Sequence, residues 1–119
     1  MPAPTALDVK VFVPTQEFEH SLAFYEALGW KRNWRHAGLA EIELAGVRLY
    51  LQDFYAKDWA ENFMVYVVVR DAADWHRHVS SVIANGEFPT ARVAAPKEED
   101  YGALVTYAWD PCGVLLHFA

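Results

Sequence analysis

The sequence predicts an α+β fold made of two β-α-β-β-β units in tandem, and three observations carry that prediction. An alternating strand pattern followed by an amphipathic helix that ends at glycine occurs twice, from Val9 to Gly29 and from Phe63 to Gly86. The two strand-to-glycine spacings, Val13 to Gly29 and Val69 to Gly86, differ by one residue. Short strand-like runs separated by glycine-bearing turns follow each helix. With 119 residues, 54% hydrophobic and 15% aromatic, the chain carries the core of one ordinary domain, 1–119, read as a first unit at 8–53 and a second at 62–119.

In the first unit Val9, Val11 and Val13 alternate with Lys10 and Phe12 and mark a strand. A helix is expected from Gln16 to Leu28, with Phe18, Leu22, Tyr25 and Leu28 on one face. Thr15 is its expected N-cap and Gly29 its left-handed C-cap. Trp30 to Arg35, Leu39 to Leu44 and Val47 to Gln52 read as strands, with turns at His36-Ala37-Gly38 and Ala45-Gly46. Ala40, Ile42 and Leu44 oppose Glu41 and Glu43, while Val47, Leu49 and Leu51 oppose Arg48, Tyr50 and Gln52, giving each strand one apolar and one mixed face.

The stretch from Gln52 to Asn62 fits neither period and reads as an aromatic-bearing connection. In the second unit Phe63 to Val69 is a strand, and Asp71 caps a helix carrying Trp75, Val79 and Val82. Thr90 to Ala94 is a strand of weak pattern, followed by a loop containing Pro96 to Asp100, whose charged run reads as a solvated loop or a lid. Ala103 to Trp109 and Val114 to Phe118 are strands joined by the turn Asp110-Pro-Cys-Gly113.

Sixteen acidic residues against ten basic ones give a net charge of -6, which disfavours nucleic acid and anionic membrane surfaces and suits a neutral or cationic ligand. The single cysteine, Cys112, excludes an intrachain disulfide framework and a cysteine-based zinc cage, and implies a reducing, cytoplasmic setting. At its turn Cys112 reads as an exposed bystander. No leader pattern and no apolar stretch of about 20 residues is present. Met1 to Leu7, with Pro2 and Pro4, reads as an extended arm of the kind exchanged between subunits. His20 reads as an exposed helix residue, His36 as a loop residue, and His76 and His78 as solvated surface.

The run from Ser21 to Gly29 (Ser-Leu-Ala-Phe-Tyr-Glu-Ala-Leu-Gly) and the late Asp110-Pro-Cys-Gly113 turn, set in two such units, resemble the vicinal oxygen chelate superfamily. That family includes glyoxalase I, extradiol dioxygenases, fosfomycin-modifying enzymes and bleomycin-resistance proteins, and the resemblance spans residues 8–118. It implies curved mixed sheets around an open cleft, helices on the convex side, and a homodimer. Metal-dependent members hold their ion with ligands on the first and last strands of each module, and the matching positions here are Lys10, Tyr50, Met64 and His117. An ammonium, a phenol, a thioether and one imidazole make a poor site for a divalent cation, so no metal and no other cofactor is expected. The alternative is a glyoxalase- or dioxygenase-like metal enzyme that combines His117 with Glu41 or Glu43. A metal-free isomerase or lyase would instead draw on Lys10, Tyr50 and His117 as its acid-base groups.

Among metal-free members the chain is similar to bleomycin-resistance proteins in Phe24 to Gly29, in Trp34 to Gly38, in its linker aromatics and in Tyr101-Gly102. It departs from them at Ala103, where that branch has a second glycine after Trp-Gly, and at Cys112, where that branch has aspartate. The resemblance implies a protein that sequesters an aromatic, cationic small molecule without altering it. Such a cleft needs flat aromatic walls and carboxylates. By strand parity Phe12, Tyr50, Tyr66 and His117 face it, Trp34 and Tyr107 join them, and Phe54, Trp59 and Tyr101 flank it on loops. Glu41 and Glu43 are the candidate charge partners. The competing reading of these residues is core or interface packing for the aromatics, a solvated stripe for the glutamates and a salt bridge for Lys10.

Overall fold

Alternating side chains along short strands, and one apolar stripe per long helix, give two sheets, each backed by a helix, in the computed structural model, which describes residues 2–119. The first sheet contains β1 (Phe12–Pro14), β2 (Lys31–His36), β3 (Leu39–Leu44) and β4 (Val47–Gln52), in the order β1-β4-β3-β2. Helix α1 (Phe18–Leu28) makes the crossover that leaves β1 parallel to β4. A short helix, α2 (Lys57–Ala60), lies in the connection. The second sheet repeats the first order with β5 (Met64–Val67), β6 (Arg92–Val93), β8 (Leu104–Trp109) and β9 (Leu115–Phe118) as β5-β9-β8-β6, and α3 (Ala72–Ala84) as its crossover. β7 (Lys97–Glu98) also pairs with β8.

Each helix buries its stripe on its own sheet. Leu22, Tyr25 and Leu28 of α1 share the core with Val13, Ala40, Ile42 and Leu51, while Val79 and Val82 of α3 share it with Ala108, Leu116 and Phe118. Trp75 stacks on Phe118 at 4.7 Å and 8°. The two units meet helix to helix, α1 against α3, with Phe24 edge-on to Phe88 at 5.3 Å. A buried polar link crosses the same seam: Tyr25 Oη donates to Asp110 Oδ2 at 2.7 Å, and Asp110 Oδ1 accepts from the backbone N–H groups of Cys112 and Val114 at 2.9 and 3.0 Å. Burial pushes Asp110 above the ordinary carboxylate value, and burial together with that carboxylate raises Tyr25 well above the ordinary phenol value.

Several sequence expectations are corrected. Thr15 does not cap α1; its buried hydroxyl donates to Gln52 O at 2.7 Å because the chain is still following β4 at that point. The cap position falls to Glu17, which makes no side-chain cap bond, and the helix begins at Phe18. Cys112 is not exposed. Its Sγ donates to Pro14 O at 3.2 Å, and burial pushes the thiol up to about 12, which leaves it protonated and unreactive. The first strand starts at Phe12 rather than Val9; Val11 O still accepts from Tyr50 N at 3.0 Å, but Val9 and Val11 keep their side chains exposed. Trp30 is a buried residue ahead of β2, and His36 closes that strand. His78 Nε2 donates to Leu28 O at 2.8 Å and so helps the helix seam. Met1, the first residue of the expected arm, lies outside the described residues. Among the described residues no helix is long and apolar enough to cross a membrane.

Tyr25→Phe removes the donor and leaves Asp110 buried on its backbone partners alone. Urea unfolding should show a loss of about 1.5–3 kcal/mol with an unchanged denaturant slope. A loss under about 0.5 kcal/mol would mean that apolar packing alone holds the seam.

Candidate functional site

The faces turned away from the helices carry the residues of interest. Cross-strand register sets Trp34, Glu41, Tyr50 and Phe12 in one row across β2, β3, β4 and β1. The Tyr50 ring lies 5.3 Å from Phe12 on one side and 5.3 Å from Trp34 on the other, both edge-on. Lys10 enters from the segment just ahead of β1, with Nζ 5.9 Å from the Tyr50 centroid and 3.9 Å from Glu41 Oε1. Asp8 fixes that segment by pairing with Lys10 and with Arg48, the latter at 2.7 Å; its bond to Lys10, foremost, holds its carboxyl below the usual value.

A bulge between Arg32 and Trp34 turns Asn33 toward the same row. Its Nδ2 donates to Glu41 Oε2 and to Glu43 Oε1, each at 2.9 Å. The two expected charge partners are therefore tied to each other through an amide, and Glu41 is 8% exposed. Their charge is partly spent inside the chain, on Asn33 and Lys10.

The second sheet carries the matching row of Tyr107, His117 and Tyr66 across β8, β9 and β5. Tyr66 stacks with His117 at 5.5 Å and 30°, and Tyr107 stands edge-on to the same imidazole at 5.0 Å. Tyr107 Oη donates to Glu99 Oε1 at 2.9 Å, and this bond is the main reason the phenol is pushed up to about 12. Tyr101, 68% exposed, sits on the turn that follows Glu99 and adds to the same shift. Desolvation lowers His117 below the ordinary imidazole value. Phe54 and Trp59 form a separate linker pair, 6.1 Å apart, with Trp59 against Phe63 at 6.3 Å.

The predicted residues thus fall into three groups: Phe12, Trp34, Glu41, Glu43 and Tyr50 on one sheet, Tyr66, Tyr107 and His117 with nearby Tyr101 on the other, and the linker pair. Asn33 and Glu99 escaped sequence reasoning. A bulge has no one-residue signature, and Glu99 sits in a charged run that reads as solvated loop. The four positions that would match a metal site do not fit one. Lys10 is an ammonium already paired with carboxylates, Tyr50 is packed between two rings, Met64 is 62% exposed opposite Leu115, and His117 stands among aromatics. Glu41 and Glu43 lie on a different sheet from His117, and among the described residues no three His, Cys, Asp or Glu side chains converge.

The crevices of a single chain lie mostly elsewhere. One of about 210 Å³ lies beside the start of α1, at Gln16, His20 and Thr90, and an apolar one of about 260 Å³ runs between Leu49 and Val65, with Tyr66 at its border. The aromatic rows are walls rather than pockets.

Tyr107 should titrate in the ultraviolet with a midpoint of about 12, and Glu99→Gln should bring its transition back toward that of free tyrosine. Because the folded value exceeds the unfolded one, this contribution to stability is complete below about pH 10 and is lost as pH rises toward 12. An unchanged transition in the variant would contradict the Glu99 bond as its cause.

No family model matches the chain. A bleomycin resistance protein of Klebsiella pneumoniae is 28% identical over 109 residues, which cover 87% of this chain and 84% of that protein. A crystal structure of a bleomycin-binding protein complexed with bleomycin superposes with a TM-score of 0.75 at 26% identity, covering 96% of this chain and 97% of that one. A glyoxalase/bleomycin resistance protein/dioxygenase from Nocardioides superposes with a TM-score of 0.76 at 20% identity, covering 99% and 83%. The chain is a homologue of bleomycin resistance proteins and has the fold of the glyoxalase/bleomycin resistance/dioxygenase family.

Proposed function

We propose that the protein binds and sequesters an aromatic, cationic small molecule of the bleomycin type, without a metal of its own and without chemically altering it. The observation that carries this reading is the pair of aromatic rows on the faces turned from the helices, Trp34-Tyr50-Phe12 and Tyr107-His117-Tyr66, in a homologue of bleomycin-binding proteins. Flat rings at such density suit stacking on a planar heterocycle. The net charge of -6 and the carboxylate of Glu99 beside the second row suit a cationic ligand.

A homodimer belongs to the same reading. The open faces and the arm expose Leu7, Val9, Val47, Met64 and Val68. Exposed apolar side chains of this size suit an interaction surface. The radius of gyration, 15.1 Å, exceeds the roughly 13.5 Å of a compact chain of this length. A second copy would turn two open walls into the sides of a cleft. Dimerisation through a self-complementary face is the common solution for such a surface.

Tryptophan fluorescence should change saturably on titration with metal-free bleomycin in the presence of a chelator. Tyr66→Ala should weaken that binding roughly tenfold through loss of ring contact. No saturable change up to about 1 mM would sink the proposed ligand class. Light scattering should report twice the mass of one chain, and a monomer at micromolar concentration would contradict the composite cleft.

A further inference from the structure

His117 is the one member of the aromatic rows whose polar atoms differ sharply in environment. Its Nδ1 is shut off from solvent and has no hydrogen-bond partner. Tyr66 covers one face of the ring, and Tyr107 stands edge-on against it. Nε2, on the ring edge farthest from the backbone, finds no protein partner among the described residues and is not shut off as Nδ1 is. Neutral imidazole carries one proton, and the nitrogen that keeps it must satisfy an N–H. A buried N–H with no acceptor is costlier than an unfilled lone pair and is rarely found in folded proteins.

We propose that His117 is a fixed hydrogen-bond donor of the cleft, held as the Nε2–H tautomer, and that it selects ligands presenting an acceptor atom, such as a heteroaromatic nitrogen or an amide carbonyl, at the edge of a planar group. This deepens the binding reading above and rests on it. Tyr107 is committed to Glu99, so its hydroxyl proton is not free to serve the ligand in the same way. The charged or titratable groups around the imidazole are Tyr66 from β5 and Tyr107 with its partner Glu99 from β8 and the preceding turn. Protonation of the ring would place a second N–H on the closed side, where nothing accepts it, so the neutral donor form is the one presented to a ligand. The lowered pKa of His117, caused by desolvation, agrees with this. A site built around one N–H donor discriminates against planar cations that lack an acceptor, because such a ligand would leave that N–H without a partner in the closed cleft.

Two measurements test the proposal separately from the ligand class. Long-range proton–nitrogen spectra of the uniformly labelled full chain, with His117 assigned by its absence in His117→Gln, should show Nε2 protonated and Nδ1 bare at neutral pH. A predominant Nδ1–H tautomer, or an imidazolium, would overturn the proposal. In titrations with metal-free bleomycin, His117→Phe keeps a ring and removes the donor, so affinity should fall roughly tenfold. His117→Gln, which carries an amide N–H at a similar reach, should stay within about threefold of wild type. Equal affinity of the phenylalanine variant and wild type would overturn the donor role. Circular dichroism of both variants identifies any that fails to fold. Absence of bleomycin binding by wild type would contradict the ligand class, and the tautomer spectrum alone would then decide whether His117 is the fixed donor.

Discussion

Everything that positions the two aromatic walls depends on a buried seam whose polar centre is the hydrogen bond from Tyr25 to Asp110. The carboxylate sits in the turn between β8 and β9 and also holds the backbone of Cys112 and Val114, so one residue closes the last hairpin and docks it on α1. Cys112 adds its Sγ contact to Pro14 at the end of β1. Burying a carboxylate is costly, and only this full set of partners offsets the loss of water. The geometry that results turns both helices inward and both mixed faces outward. A single chain therefore has walls without an enclosed cleft.

The two walls solve the same problem with different chemistry. On the first sheet a bulged asparagine bonds both Glu41 and Glu43, and Lys10, ahead of β1, stands 3.9 Å from Glu41, so part of the charge there is spent inside the chain. On the second sheet Glu99 is held through one oxygen by Tyr107, and its pairing with exposed Lys97 at 3.7 Å is a weak surface contact. The less committed carboxylate thus lies on the second wall, bonded to the Tyr107 that stands edge-on to His117. The equivalent strand position on the first wall is Tyr50, packed between Phe12 and Trp34.

Much of the fold was legible because period-two strands, helix stripes and glycine stops are local signals. The Phe18-Leu22-Tyr25-Leu28 stripe and the Ala45-Gly46 turn, with φ of 53° and 80°, are examples. The row residues were legible for a related reason, since strand parity decides which side chains share a face. What escaped depended on partners distant in sequence. Thr15 answers to Gln52 and Cys112 to Pro14, and each of those contacts outweighs the local preference for a cap or an exposed turn. The short helix α2 and the strand β7, which pairs with β8 inside the charged run read as a loop, likewise follow from contacts with distant segments, not from a pattern in the run itself.

Native mass spectrometry of the purified protein with metal-free bleomycin tests the central claim most directly, because one spectrum reports assembly, ligand and metal together. The expected species is a dimer that takes up the ligand with no added metal mass. A monomer carrying ligand, or a species that takes up bleomycin only together with a protein-bound divalent ion, would contradict it.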